Sequence, residues 1–190
     1  MRRITIHERN KKMKAGIILA SFIIYSMIGF IYESLLCSIR EKKFIKRGLC
    51  FGPYCPIYGF CAIVTYMLSY KISGIFWVFL IAVAINSVVE YVSSFFMDKS
   101  CGFKLWDYSW RKYNLNGRIC LAGAVGFGIA STAICRYVQP VLEKILFDIP
   151  ETKLLMISIA LCMIVIFDMI LSLGSIKFFE KIRGALKPLF

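Results

Sequence analysis

Three acids, Glu33, Glu90 and Asp168, lie inside long apolar stretches of this sequence. A charge at the centre of a bilayer costs roughly 2.5–3.5 kcal/mol on insertion scales, so acids in such stretches face a protein interior and have a partner or a task. Two arginines, Arg47 and Arg118, stand where apolar stretches begin, and arginine is the cation best suited to a shared, partly buried carboxylate. Polar neighbours recur at helical spacing. Asn86, Glu90 and Ser94 fall at i, i+4 and i+8, and Asp168, Ser172 and Ser175 at i, i+4 and i+7, each series forming one stripe on a helix. Such a group could take an ion or a small ligand, or pass a proton. It could also do no more than tie helices together through Glu33–Arg47 and Glu90–Arg118 pairs, and a buried ion pair alone does not decide between these.

The stretch WDYSWRKYNLNGRIC, residues 106–120, adds a second set. Trp106, Tyr108, Trp110 and Tyr113 suit the water–lipid boundary, where amphipathic rings collect. That does not account for Asp107 followed by Ser109, or for Asn114, Gly117 and Arg118. Asp107 is placed to accept from Arg47 or Arg118, and Asn114 with Gly117 suits a tight turn that brings Arg118 inward. The expectation is that loop 98–118 folds back as a lid over the carboxylates.

These residues need a membrane scaffold to position them. The hydrophobic share of 59%, the aromatic share of 15% and the mean hydropathy of +0.71 exceed those of an ordinary soluble domain, about 45–50% apolar. Four segments are long and apolar enough to span, namely 15–37, 74–97, 119–139 and 153–176. Residues 49–70 make a fifth, but Gly52, Pro53, Pro56 and Gly59 interrupt its first half. Lipid offers no partner for backbone groups freed by prolines, which predicts a broken or re-entrant start over 49–59, followed by regular helix. Gly48 begins the same interruption. The fold class expected is all-α: a polytopic helix bundle in the cell membrane, with about five transmembrane helices. It forms one integral-membrane domain over 1–190, with basic tails at 1–14 and 177–190.

Five crossings place loop 38–48, loop 98–118 and the end of the last helix on one side, called here the site face. Counting from the helix ends at 1.5 Å per residue, Glu33, Glu90 and Asp168 lie roughly 5–12 Å below that face. Gly123, Gly126, Gly128 and Ala130 leave room for a neighbouring helix to approach. The net charge of +13 is scattered between apolar segments, which suits anionic lipid head groups and matches no nucleic-acid module. The lipid bilayer, not nucleic acid, is therefore the expected partner. Of the eight cysteines none forms a C-x-x-C pair, and His7 is the only histidine. No metal site and no cofactor are expected.

Several of these motifs, taken in order, resemble the ABC-transporter permease family of CmpB type. They are Glu33 after Gly29-Phe30, KRGLCFGPYCPIYG (46–59), Glu90-Tyr91, WDYS (106–109) and NLNGRICL (114–121). The resemblance covers about residues 25–135. It implies that Glu33, Arg47, Gly48, Gly52, Pro53, Pro56, Tyr58, Gly59, Glu90, Tyr91, Trp106, Asp107, Tyr108, Ser109, Asn114, Gly117, Arg118 and Cys120 belong to the family pattern. Phe127 departs from it, since a tryptophan is expected after the GRIC segment. The chain has no G-x-x-x-x-G-K-[ST] phosphate loop, so a transporter built on it needs a separate ATPase subunit, and a chain this small points to a homo-oligomer. A transporter permease or membrane subunit is the leading reading. The alternatives are a membrane-embedded enzyme acting on a lipid or lipid-linked head group, and a purely structural membrane protein.

Overall fold

The computed structural model describes the backbone of residues 6–186 except residue 103, and the side chains of residues 15–176 except residue 103. The side chains of the two basic tails lie outside the described residues. Helix α1 (Ile6–Glu41) is followed by an irregular segment and then by α2 (Pro56–Ser69) and α3 (Ile75–Cys101). A short hairpin of β1 (Asn114–Leu115) and β2 (Ile119–Cys120) leads into α4 (Leu121–Ala133). A π-helical turn (Ile134–Val138) joins α4 to α5 (Gln139–Phe147), and α6 (Glu151–Leu186) closes the fold. Among the described residues four spans are long and apolar enough to cross a membrane: Ala15–Glu41, Ile75–Cys101, Leu121–Phe147 and Glu151–Ile176. The all-α membrane bundle expected from the sequence is what forms.

Helix α2 is the exception in length. Its 14 residues rise only about 21 Å, against a hydrocarbon core of roughly 30 Å. The break before it ends earlier than the composition of 49–59 suggests, because Pro56 sits in the first turn of α2. There its missing N–H costs nothing and its fixed φ suits the helix. Gly59 is therefore not a break. It lies within α2, buried against α1, where an added Cβ would overlap the Phe22 carbonyl and Ser26 Oγ.

The bundle is held by close packing of small residues. Helix α1 packs on α6 and α2, and α3 packs on α4. Gly16 lies against Leu154 and Leu155, and Ser158 Oγ donates to the Gly16 carbonyl at 3.2 Å. Gly128 lets α4 meet Val83 and Phe79 of α3. Of the glycines expected to make room, Gly126 faces open space and Gly123 meets only Cys120 Sγ, so the close approach on α4 is made at Gly128. Hydrophobic burial does not drive helices together in lipid, and small residues that admit neighbouring backbones do much of the work.

The π-turn also has a local cause. Pro140 has no N–H to return to the Arg136 carbonyl and would crowd it in a regular helix. A wider turn just before the proline relieves that conflict, and the Arg136 guanidinium donates to the Ile72 carbonyl in the α2–α3 connection.

Gly59→Leu and Gly128→Leu should each lower the yield of monodisperse protein in detergent several-fold and lower its melting temperature. Gly126→Leu should leave both near wild type. Fluorescence-detected size-exclusion chromatography with a heating step measures all three.

Candidate functional site

The segment between α1 and α2 leaves helical geometry, so its N–H groups need partners from elsewhere. Asp168 of α6 supplies two of them. Its carboxylate accepts from Phe51 N at 3.0 Å, from Gly52 N at 2.8 Å and from the Tyr54 hydroxyl. Ser172, one turn on, donates to the same carboxylate at 3.1 Å, as the stripe on this helix leads one to expect. Ser34 Oγ takes Arg47 N at 3.2 Å, Ser38 Oγ takes Ile45 N at 2.9 Å, and the Ser26 carbonyl takes Cys55 N at 2.8 Å. Gly48 turns the chain at φ 101° against Cys55 Sγ and Phe30. Asp168 thus ties down the irregular segment; it does not join the other two acids.

Glu33 and Glu90 form the centre. The Tyr58 hydroxyl of α2 donates to Glu33 Oε1 at 2.5 Å, and Arg47 Nε stands 3.6 Å from Glu33 Oε2. The Tyr58 ring packs edge-on between Tyr32 and Phe127, at 6.4 and 5.8 Å between centroids. Gly29 permits this, since a Cβ there would overlap the Tyr58 ring. Glu90 is 6% exposed. The Tyr108 phenol, from the loop after α3, faces the Glu90 carboxyl closely enough to interact with it electrostatically, and Glu33 lies within electrostatic range of both. Burial and then the neighbouring Glu90 carboxyl push the Tyr108 phenol above its usual range, so Tyr108 acts as a donor. Glu90 Oε2 is buried with no hydrogen-bond partner among the described residues.

Arg118 is not the partner of Glu90 that its position suggests. It turns instead to Asp98, two turns beyond, with Nη2 at 2.6 Å from Oδ2, and Nη1 reaches Ser94 Oγ at 3.3 Å. Its guanidinium also lies over the rings of Phe95 and Tyr91, at 5.4 and 5.9 Å. Asn86, on the same stripe as Glu90, bonds the Phe127 carbonyl at 3.1 Å and Ser131 Oγ at 2.9 Å, which ties α3 to α4.

The loop after α3 is built by its own short-range bonds. Asp107 Oδ1 accepts from Ser109 N at 2.9 Å and from Ser109 Oγ at 2.6 Å. It engages neither Arg47 nor Arg118, which corrects the expectation for this acid. Asn114 Oδ1 accepts from Gly117 N at 2.9 Å, and Asn116 and Gly117 both adopt positive φ, at 54° and 68°, closing the hairpin turn. Trp106 Nε1 donates to the Arg118 carbonyl at 2.8 Å, and Asn116 Nδ2 donates to the Tyr91 hydroxyl at 3.0 Å. The loop is thereby pinned over the end of α3, with Tyr108 directed to Glu90.

A second polar network escaped the sequence reading. Tyr25 donates to Gln139 Oε1 at 2.7 Å, and Gln139 Nε2 contacts Ser21 Oγ at 3.3 Å and Glu143 Oε1 at 3.1 Å. Tyr66 donates to Glu143 Oε1 at 2.6 Å. It joins α1, α2 and α5. Gln139 and Glu143 are themselves i, i+4 neighbours, a signal hidden by ending the fourth span at 139.

Residues 20–173 match the family described as Putative ABC-transporter type IV. The chain belongs to that family. Family membership and the four apolar spans together make it a multi-pass membrane protein. No curated protein and no solved structure matches it.

Two outcomes follow from this geometry. Arg118→Met should destabilise the protein by about 2–4 kcal/mol, because it strands Asp98 and removes the guanidinium packing. A thermal-melt double-mutant cycle with Asp98→Asn should show that most of this loss is shared. Two donors from Ser109 hold the Asp107 carboxyl below its usual range. A group depressed in this way stabilises the fold above its unfolded pKa, and the contribution is lost as the pH falls through the folded value. Acidification below the ordinary carboxylate range should therefore loosen the loop, read as faster proteolysis beside Trp110, and Ser109→Ala should shrink that acid response.

Proposed function

We propose that this chain is the membrane-embedded subunit of a transporter in the cell membrane, energised by a separate ATPase, with its substrate-handling groups in the Glu33–Tyr58–Tyr108–Glu90 cluster. The observation that carries this reading is the convergence of four segments on two acids below the site face. Glu33 comes from α1, Tyr58 from α2, Glu90 from α3 and Tyr108 from the loop that covers them. Purely structural acids take cations or full hydrogen-bond sets, as Asp98 and Asp168 do here. Among the described residues Glu90 instead keeps an unpartnered buried oxygen, which is costly to hold without a task. An interrupted helix beside intramembrane polar groups is also how transporters commonly build sites. In this reading Arg47 balances Glu33 at the mouth, Tyr108 serves as the movable donor of the lid, and the family supports a partner ATPase.

The test is affinity purification of the tagged chain from its native membrane in mild detergent, followed by mass spectrometry. A stoichiometric ATPase carrying a phosphate-binding loop is expected. In the reconstituted complex Glu90→Gln and Glu33→Gln should each lower transport-coupled ATP hydrolysis at least tenfold without loss of assembly. A chain that purifies alone or as a homodimer, with a specific lipid as its only companion, would overturn the transporter reading in favour of a membrane enzyme.

A further inference from the structure

The outer surface of the lid carries a second feature, remote in chemistry from the two acids. A groove of about 570 Å³ lies where the hairpin loop meets the start of α4, within the usual range of small-ligand pockets, about 300–1,000 Å³. Its lip is Arg111, Lys112 and Tyr113, and its floor is Leu121, Val125 and Gly126. The floor belongs to a membrane span. Leu121 and Val125 share one helix face and are exposed, and open space surrounds the point where Gly126 would carry a Cβ.

The lip has the opposite character. Arg111 lies over the Trp110 ring at 4.1 Å, and Lys112 over the Tyr113 ring at 5.5 Å. Among the described residues neither cation forms an ion pair, and the one acid of this loop, Asp107, is engaged by Ser109. Trp110 and Tyr113 are both 65% exposed, as rings at the head-group level are. An apolar trough descending into the membrane from two unpaired cations at the boundary matches an amphiphile whose anionic end faces the lip.

We propose that this groove binds an anionic phospholipid, with the phosphate between Arg111 and Lys112 and the upper part of one acyl chain along Leu121, Val125 and Gly126. Lipid recognition by cations near the bilayer surface is worth roughly 1 kcal/mol per basic residue, so the pair sets a preference for anionic over zwitterionic lipid of about ten- to thirtyfold. The site does not depend on the transporter reading. The groove abuts the loop that presents Tyr108, so bound lipid would hold the lid in place.

The test titrates the purified full chain in detergent with phosphatidylglycerol, phosphatidylcholine or free glycerol phosphate, following brominated-lipid quenching of Trp110 and the melting temperature. Phosphatidylglycerol is expected to bind at least tenfold more tightly than phosphatidylcholine. Arg111→Gln with Lys112→Gln should erase that preference, and Gly126→Leu should weaken both lipids, with lipid-free melting unchanged in each variant. Equal affinity for the two lipids would overturn the proposal, as would an undiminished preference in the double variant. A melting shift from glycerol phosphate equal to that from the lipid would mean a simple anion site. A photoreactive side chain at position 126 should label lipid in native membranes; labelling of a co-purifying polypeptide instead would assign the groove to a protein partner.

Discussion

A chain that abandons helical geometry must find a partner for every N–H it frees, and here one carboxylate of α6 shares that task with three residues of α1. Asp168 gathers two backbone amides and a tyrosine hydroxyl from the segment before α2. Serines on α1 take two more amides. With those bonds in place the segment can remain irregular, α2 can begin at Pro56, and its first turn brings Tyr58 to Glu33. Neutral serines alone would not do this as well, because hydrogen bonds to a charged acceptor are roughly twice as strong as neutral ones. The position of the candidate site therefore rests on a residue that does not touch it.

The same economy explains how the two site acids are left with so little cationic company. Two arginines lie within reach of the acids by sequence. Arg118 is captured by Asp98, Ser94 and two ring faces. Arg47 approaches Glu33 only at 3.6 Å, with 39% of its side chain exposed, where a pair is worth at most about 1 kcal/mol. Hydroxyls, not cations, therefore stand nearest: Tyr58 donates to Glu33, and the Tyr108 phenol faces Glu90. Phenols can donate without fixing the charge of the acid they face.

Much of this was legible in the residues. The spans, the Asn86–Glu90–Ser94 stripe, the Glu33–Arg47 pairing and the interruption around Pro53 all follow from periodicity and from the behaviour of proline in lipid. The partner of Arg118 was not legible, because Asp98 stood at the edge of a span and read as loop, whereas α3 continues through it to Cys101. Asp107 was given a distant partner because a cation outranks a hydroxyl in the abstract; the chain offered Ser109 two residues away, and the local turn prevailed. The two-stranded hairpin at 114–120 is too short for any periodic signal. Gln139 stood at the last position of the expected span and Glu143 beyond it, so the network they share with Tyr25 and Tyr66 had no helix to be read on.

The reach of Asp168 has a consequence for how the protein is made. The amides it satisfies lie 116 and 117 residues earlier in the chain. At synthesis rates of about 5–20 residues per second, their acceptor emerges from the ribosome roughly 6–25 seconds after they do. During that interval the nascent segment 51–54 has no lasting place in the hydrocarbon and must be kept in water or held by the insertion machinery. The irregular segment before α2 therefore gains its full set of partners only when the last helix arrives, and a chain cut before residue 168 would keep its first three spans but lack the acceptor for Phe51 and Gly52.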